Sequence, residues 1–262
     1  MPTPHRHRAM AESFGTDADR YDRARPAYPD ALITRIVEAS PGRAVVDVGC
    51  GTGIAARQFQ ARGCTVLGVE PDRRMAEIAR RHLPVEVSTI EDWDPADRRF
   101  DAMTAAQSWH WVDPTAGAAK AAQALRPTGL FAAFWHVFDP PENISRALAT
   151  AYRRVVPDSP IDFDAIAKTP REDRYRPIFD KTADGLHHTN AFATPETWHV
   201  TWEHPYTRDE WLDQLPTTGA MTQLPPDALA EILDDVGTAI DKLGGRFTMH
   251  YTTVAITAAR NR

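Results

Sequence analysis

Residues Ala44–Gly53 read AVVDVGCGTG, and seventeen residues beyond the last of these glycines Glu70 closes a second apolar run, CTVLGVEPD. Val45, Val46 and Val48 are β-branched, and their run is too short for a helix, so they predict a buried strand. Glycines at 49, 51 and 53 allow the chain to turn tightly from strand to helix and to approach a ligand closely. The segment IAARQFQARG then predicts a helix that stops at Gly63. Its N-terminus directs N–H groups and the positive end of its dipole at the turn, where a carboxylate fits as well as a phosphate. Glu70, at the end of the next strand, can accept hydrogen bonds from two ribose hydroxyls. The stretch therefore predicts a nucleoside cofactor. A dinucleotide fingerprint would read G-x-G-x-x-G/A, and Ile54 stands where its third small residue belongs, which disfavours a nicotinamide-dependent oxidoreductase.

Working outward, Pro29 and Asp30 open a helix carrying Leu32, Ile33, Ile36 and Val37 on one face. PDRRMAEIARRHL predicts the helix after Glu70. Strand, glycine turn, helix, strand and helix in fewer than forty residues make a βαβ unit and imply a parallel sheet. Strands are expected at 85–87, 100–105 and 130–135, with a helix across 115–125. From Phe138 to about Phe192 the pattern breaks: DPPENISRALATAYRRVV predicts one helix, and then Pro157, Pro160, Pro170 and Pro177 predict irregular or short helical pieces. Strands at 198–204 and 246–257 and helices at 207–215 and 226–243 complete the reading.

The 262 residues are 42% hydrophobic and 25% charged, as expected of a folded enzyme, and the net charge of −6 gives no reason to expect a nucleic-acid partner. No apolar run approaches the roughly 20 residues of a membrane span. MPTPHRHRAM lacks the apolar core of a secretion signal, so a cytoplasmic location without membrane association is expected. Cys50 and Cys64 are too few for a disulfide scaffold and are expected as thiols. The run His5, Arg6, His7, Arg8 reads as a frayed terminus, and the isolated pair His187-His188 is a poor metal site, so no metal is expected.

DVGCGTG closing one strand and VEPD closing the next resemble the class I S-adenosylmethionine-dependent methyltransferases, whose glycine motif is D/E-x-G-x-G-x-G. YDRARPAYP, FDAMTAAQSWHWVDP and LRPTGLFAAFW follow in the order seen in the small-molecule branch that includes trans-aconitate methyltransferases, and YTRDEWLDQLPTTGAM and GGRFTMHYTTVAITAAR resemble its ending. The resemblance implies an α/β, Rossmann-like doubly wound seven-stranded sheet, mostly parallel with an antiparallel last strand. It implies one methyltransferase domain, 1–262, with an N-terminal lid segment (13–30), a cofactor-binding core (44–136), a helical substrate-cap insertion (138–192) and C-terminal strands and helices (198–257). S-adenosyl-L-methionine is then the cofactor and S-adenosyl-L-homocysteine its product; a small molecule is the other partner, and the protein is a monomer or homodimer.

Position by position, the resemblance puts Gly49 and Gly51 against the methionine portion, with Asp47 orienting its amino group, and Glu70 on the ribose. Pro71 and Met75 face the adenine, Ile90 and Glu91 flank its exchangeable edge, and Gln107 touches the cofactor by main chain. Tyr21, Arg25 and Tyr28 fall in the lid, where Arg25 can pair with the cofactor carboxylate or an acidic substrate. Reacting groups in such a sheet lie beyond the carboxyl ends of the strands, which selects Trp109, His110 and Trp111 after the fourth strand and His136 after the fifth. Both imidazoles are expected to face the methyl group. Because methyl transfer from a sulfonium depends on alignment and desolvation, either histidine is needed as a base only for a hydroxyl or amine acceptor. The tryptophans can equally form an apolar pocket wall. In the cap, Tyr152, Arg153, Arg154, Arg174, Tyr175 and Arg176 are expected either as solvated helix faces or as contacts to an acidic or aromatic substrate. A methyltransferase-like protein that binds cofactor without turnover is the alternative. Nucleic-acid methylation is disfavoured, because Gln107-Ser108-Trp109-His110 carries no base-flipping signature.

Overall fold

A computed structural model describes residues 11, 13–159, 161 and 163–262; the His/Arg run at 5–8 lies outside them. The β-branched run becomes strand β1 (Ala44–Val48), followed by helix α3 (Ile54–Gln60) and β2 (Thr65–Val69). Helices α1 (Ala18–Ala24) and α2 (Asp30–Ala39) precede them. Helix α4 (Arg73–Ala79), the short β3 (Val85–Glu86), β4 (Phe100–Ala106), α5 (Pro114–Ala124) and β5 (Leu125–Asp139) continue the alternation. β6 (Glu196–Thr207) and β7 (Arg246–Ala259) complete a seven-stranded sheet in the order β3-β2-β1-β4-β5-β7-β6. β1 to β5 run parallel, while β7 is antiparallel to both of its neighbours. The strand order reverses between β1 and β4, which is where ligands of open α/β sheets bind.

Period-two alternation sorts the strand side chains onto two faces. Val45, Val66, Ala102 and Phe134 pack under α2 and α3, whereas Val46, Val69, Met103 and Trp135 pack under α5 and the later helix that carries Leu186. β5 is longer at both ends than its apolar core of 130–135 suggests, because it pairs with β4 at Phe100↔Leu125 and with β7 as far as Asp139↔His250. β6 runs through Pro205, and as the sheet's edge strand it can tolerate a missing donor.

The stretch 138–192 is more regular than its prolines suggest. It forms α6 (Glu142–Val155), α7 (Phe163–Lys168) and α8 (Arg171–His188), with Pro170 capping α8 and Pro177 inside it. Pro177 lies on the exposed side, where water can bond the carbonyl that its ring frees. The opposite side of α8, through Phe179 and Leu186, packs onto the sheet face beneath α5. α6 instead joins α9 (Arg208–Gln214), through Trp211, and α10 (Pro226–Asp241) in a separate apolar cluster with Tyr251.

Candidate active site

A cavity of about 670 Å³ opens at the carboxyl ends of β1, β2 and β4, lined by the glycine turn, Glu70, the segment after β3, the turn after β4 and the N-terminal segment. Its volume falls within the range of small-molecule and cofactor sites. Gly49, Gly51 and Gly53 have φ of +61°, +55° and +89°, the left-handed region that favours glycine. A Cβ on Gly49 would stand 2.5 Å from Ser108 Cβ, whereas one on Gly51 would meet only Met75 Cε at 3.8 Å. The first glycine thus lets β4's end approach the turn, and the second leaves the cavity floor open.

Glu70 is buried, and each carboxylate oxygen accepts a backbone N–H: Oε2 from Gly51 at 2.8 Å and Oε1 from Asp72 at 2.9 Å. A carboxylate offers about four lone-pair sites, so two acceptors remain for ligand hydroxyls. Burial pushes its pKa up to about 7 against the pull of those two bonds. Asp47 is also raised to about 7 by burial. Its Oδ1 accepts Thr104 Oγ1–H at 2.7 Å and its buried Oδ2 has no partner among the described residues. It lies beneath the glycine turn, outside the cavity lining. Pro71, Met75, Ile90, Glu91 and Gln107 all line the cavity. Glu91 also accepts the Asp113 N–H at 2.9 Å, tying the segment after β3 to the start of α5. Gln107 has φ +59°, unusual for a residue with a Cβ, and its N–H donates to the Phe134 carbonyl at 2.9 Å. That bond carries the β4–β5 pairing one residue beyond Ala106.

From the N-terminal segment Tyr21 and Arg25 reach the cavity. The Arg25 guanidinium lies 5.0 Å from the Tyr21 ring centroid and donates from Nη2 to the Thr217 carbonyl at 2.5 Å. Its buried Nε has no partner, and Arg25 has no ion-pair partner among the described residues. Tyr28, from the same segment, does not line the cavity: its N–H and C=O bond the Gln58 amide, and its ring stacks on His136 at 4.5 Å.

The expectation that His110 and His136 both face the methyl group meets a different arrangement, with the two rings on opposite faces of the sheet. Successive residues of β5 point to opposite faces, and Trp135, not His136, points toward His110. Trp135 Nε1–H donates to His110 Nδ1 at 3.1 Å, while His136 lies under Tyr28 and shares a 2.9 Å hydrogen bond with Thr253 Oγ1. His110 and Trp111 line the cavity and His136 does not. Burial lowers both histidines, His110 to about 4 and His136 to about 3, so both rings are neutral at pH 7. Trp109 is likewise placed away from the cavity. The 3-10 turn Trp109–Trp111 points successive side chains about 120° apart, and Trp109 packs edge-on against Phe131 at 4.7 Å.

Of the basic and aromatic cap residues, Tyr175 joins the cavity wall, with burial raising its hydroxyl pKa. Arg174 is neither solvated nor a cavity residue, because it is largely buried in an ion pair with Asp139. Arg154 pairs with Asp235 at 2.9 Å, Arg176 with Asp173 at 2.8 Å, and Tyr152 is buried in the core. Trp135, Phe138, Ile178, Thr218 and Gly219 complete the far wall, and the sequence reading singled out none of them. Trp135 was accessible from the alternation that places it opposite His136. Ile178 and Thr218 come from segments brought to the cavity only by helix packing.

The sequence profile of the methyltransferase domain matches residues 21–243. An uncharacterized methyltransferase of Mycobacterium tuberculosis is 37% identical over 135 residues, covering 50% of this chain and 55% of the relative, so the match spans about half of that protein's length. A ubiquinone biosynthesis O-methyltransferase of Alkalilimnicola ehrlichii is 34% identical over 97 residues, 34% of this chain and 39% of the relative. Among solved structures, a chain from Anaeromyxobacter dehalogenans assigned as a type II methyltransferase superposes with TM-score 0.61 at 24% identity, covering 90% of this chain and 97% of that one. With the profile matching most of its length and the strand order matching the Rossmann-like methyltransferase fold, this chain belongs to the methyltransferase-domain family of the class I fold.

Proposed function

We propose that the protein transfers a methyl group from S-adenosyl-L-methionine to an oxygen of a small-molecule acceptor. The observation that carries this reading is the buried Glu70 carboxylate. It is held by Gly51 and Asp72 at the end of β2, over a cavity at the strand switch, with acceptor capacity left for ribose hydroxyls. Asp47, expected to orient the amino group, instead lies beneath the glycine turn and outside the cavity lining, where its role toward a ligand is limited to shaping that turn. The cation Arg25 fits a carboxylate at the cavity's other side. When bound, the cofactor supplies an electrophilic methyl group on a sulfonium whose leaving group is a neutral thioether.

In this reading Glu70 holds the ribose, Pro71 and Met75 the adenine, and Ile90 and Glu91 its edge, with Gly49, Gly51 and Gln107 along the methionine portion. Tyr21, Arg25 and Trp111 exclude water and orient the acceptor. An oxygen acceptor is supported by the O-methyltransferase relative. A solved phosphoethanolamine N-methyltransferase of Haemonchus contortus, which shares this fold at TM-score 0.51, is in complex with S-adenosyl-L-methionine and supports the cofactor.

Calorimetry with S-adenosyl-L-methionine, S-adenosyl-L-homocysteine and a nicotinamide dinucleotide tests the donor. Binding of the first two and not the third is expected; binding of the dinucleotide alone would overturn the reading. Transfer of a labelled methyl group to a panel of acids, phenols, sugars and amines tests the acceptor atom. Turnover confined to amines would remove the oxygen assignment.

A further inference from the structure

Trp135 and His110 meet at the cavity wall through a hydrogen bond whose direction is not adjustable. An indole Nε1 carries a hydrogen and has no lone pair to accept with, so it can only donate. It lies 3.1 Å from His110 Nδ1. Nδ1 is therefore the accepting nitrogen, and a neutral ring must carry its proton on Nε2. We propose that Trp135 is a positioning residue that fixes this tautomer, so that His110 presents a donating Nε2–H to the cavity rather than a basic nitrogen. The role of the donor rests on reading this cavity as the methyl-transfer site; the tautomer itself does not.

Both partners are held in place by the fold. Trp135 is 1% exposed, its backbone is paired in the β5–β7 ladder opposite Val254, and its ring packs against Phe179 of α8 at 5.5 Å. His110 sits in the middle of the 3-10 turn, its ring 4.7 Å from that of Trp111. Both line the cavity, and His110 Nε2 has no hydrogen-bond partner among the described residues. The alternative tautomer would set Nδ1–H against the indole N–H, two donors facing each other in a buried contact. A protonated ring would do the same. The ring's environment opposes that charge as well, because desolvation holds its pKa well below the ordinary value.

The consequence for the reaction is specific. His110 cannot remove a proton from a hydroxyl acceptor without breaking its bond to Trp135 or leaving two donors opposed. It can donate to a lone pair on the acceptor, aligning an oxygen that enters with its nucleophilic pair already free.

Long-range 1H–15N correlation spectra of the imidazole rings in the full chain, recorded free and with S-adenosyl-L-homocysteine, test this. The His110 signals are assigned by their loss in His110→Gln. The wild-type ring is expected as the Nε2–H tautomer, with no titration between pH 5.5 and 8. Trp135→Phe removes the donor and keeps an aromatic ring, and there the two nitrogen signals should move toward each other as the tautomers mix. A wild-type Nδ1–H ring, a wild-type titration within that range, or an unchanged tautomer in Trp135→Phe would overturn the proposal. Should Trp135→Phe fail to fold, the wild-type spectrum decides alone. Calorimetry on the same sample separates the two readings: absence of S-adenosyl-L-homocysteine binding would count against the proposed function while the tautomer is still read from the free protein.

Discussion

Glu70 Oε2 accepts the backbone N–H of Gly51 at 2.8 Å, a bond that joins the end of β2 to the turn after β1 and aims the carboxylate at the cavity. The same side chain therefore shapes the turn and is free to meet a ligand. Glu70→Ala should lower affinity for S-adenosyl-L-homocysteine at least tenfold. The orphaned Gly51 N–H should also cost about 1–3 kcal/mol of stability. Glu70→Gln retains an acceptor oxygen and should fold better while still binding weakly. Calorimetry and thermal melts on both variants separate the two effects, and affinity within twofold of wild type in Glu70→Ala would remove the ribose assignment.

Cofactor affinity should depend on pH through Glu70, the buried acid that lines the cavity. Burial raises its pKa to about 7 in the free protein. Hydroxyl donors favour the ionised form, so binding lowers that value and releases a proton. Affinity then rises with pH through 7. From pH 6 to pH 8 the gain is about tenfold. Calorimetry in buffers of different ionisation enthalpy checks the sign; proton uptake on binding would contradict it.

Arg25 carries a charge at the cavity wall that no carboxylate of the described residues neutralises, and its bond to the Thr217 carbonyl and the Tyr21 ring beneath it hold it. Arg25→Ala should weaken binding of cofactor or acceptor by tenfold or more. Arg25→Lys should recover only part, because an ammonium cannot span a carboxylate and a carbonyl as a planar guanidinium does. Steady-state kinetics resolved into kcat and KM for each substrate provide the measurement. Unchanged values for both would remove Arg25 from the site.

Stability should show a concealed pH dependence. The folded state lowers His110 to about 4 and His136 to about 3 from an ordinary 6.5, so the unfolded chain binds more protons there and stability rises toward pH 6.5. Glu70 and Asp47 are raised to about 7 from 4.5 and 3.8, so the folded chain binds more protons there and stability falls over the same range. Between about pH 4.5 and 6.5 the two pairs offset each other. His136→Phe removes one rising contribution. Its stability relative to wild type should therefore fall by about 1.4 kcal/mol for each pH unit in that window. Denaturant unfolding at pH 4.5, 5.5 and 6.5 measures it, and a pH-independent difference would show that His136 is not held neutral.

Much of the cavity's cofactor side could be read from local features. Gly49, Gly51, Glu70, Pro71 and Met75 lie in one strand-turn-helix-strand-helix stretch, where backbone geometry constrains residue type and sequence distance is spatial distance. The errors concern residues whose direction depends on pairing. His136 was expected beyond the end of the fifth strand facing the methyl group, but β5 continues to Asp139 and turns its ring under Tyr28, and Trp109 was assigned the cavity side of a three-residue turn that buries it against Phe131. The prolines of 138–192 hid a helix, because a proline on the exposed side of α8 costs less than its effect on local propensity implies.

The doubly wound sheet, and the glycine turn and acid at its strand switch, could be read from the sequence alone. Those follow from β-branched runs, glycines with left-handed φ and a carboxylate at a strand end, all within interactions of short range. The tertiary structure decided the far wall of the cavity. Docking of α8 on the sheet brings in Tyr175 and Ile178, and the fold of the C-terminal half brings Thr218 and Gly219 beside Arg25. The indole of Trp135, set by the register of β5, meets the imidazole of His110 and decides which of its nitrogens carries the proton. Strand alternation sets which face Trp135 takes, but which residue it meets there depends on packing between segments distant in sequence, which local spacing does not encode.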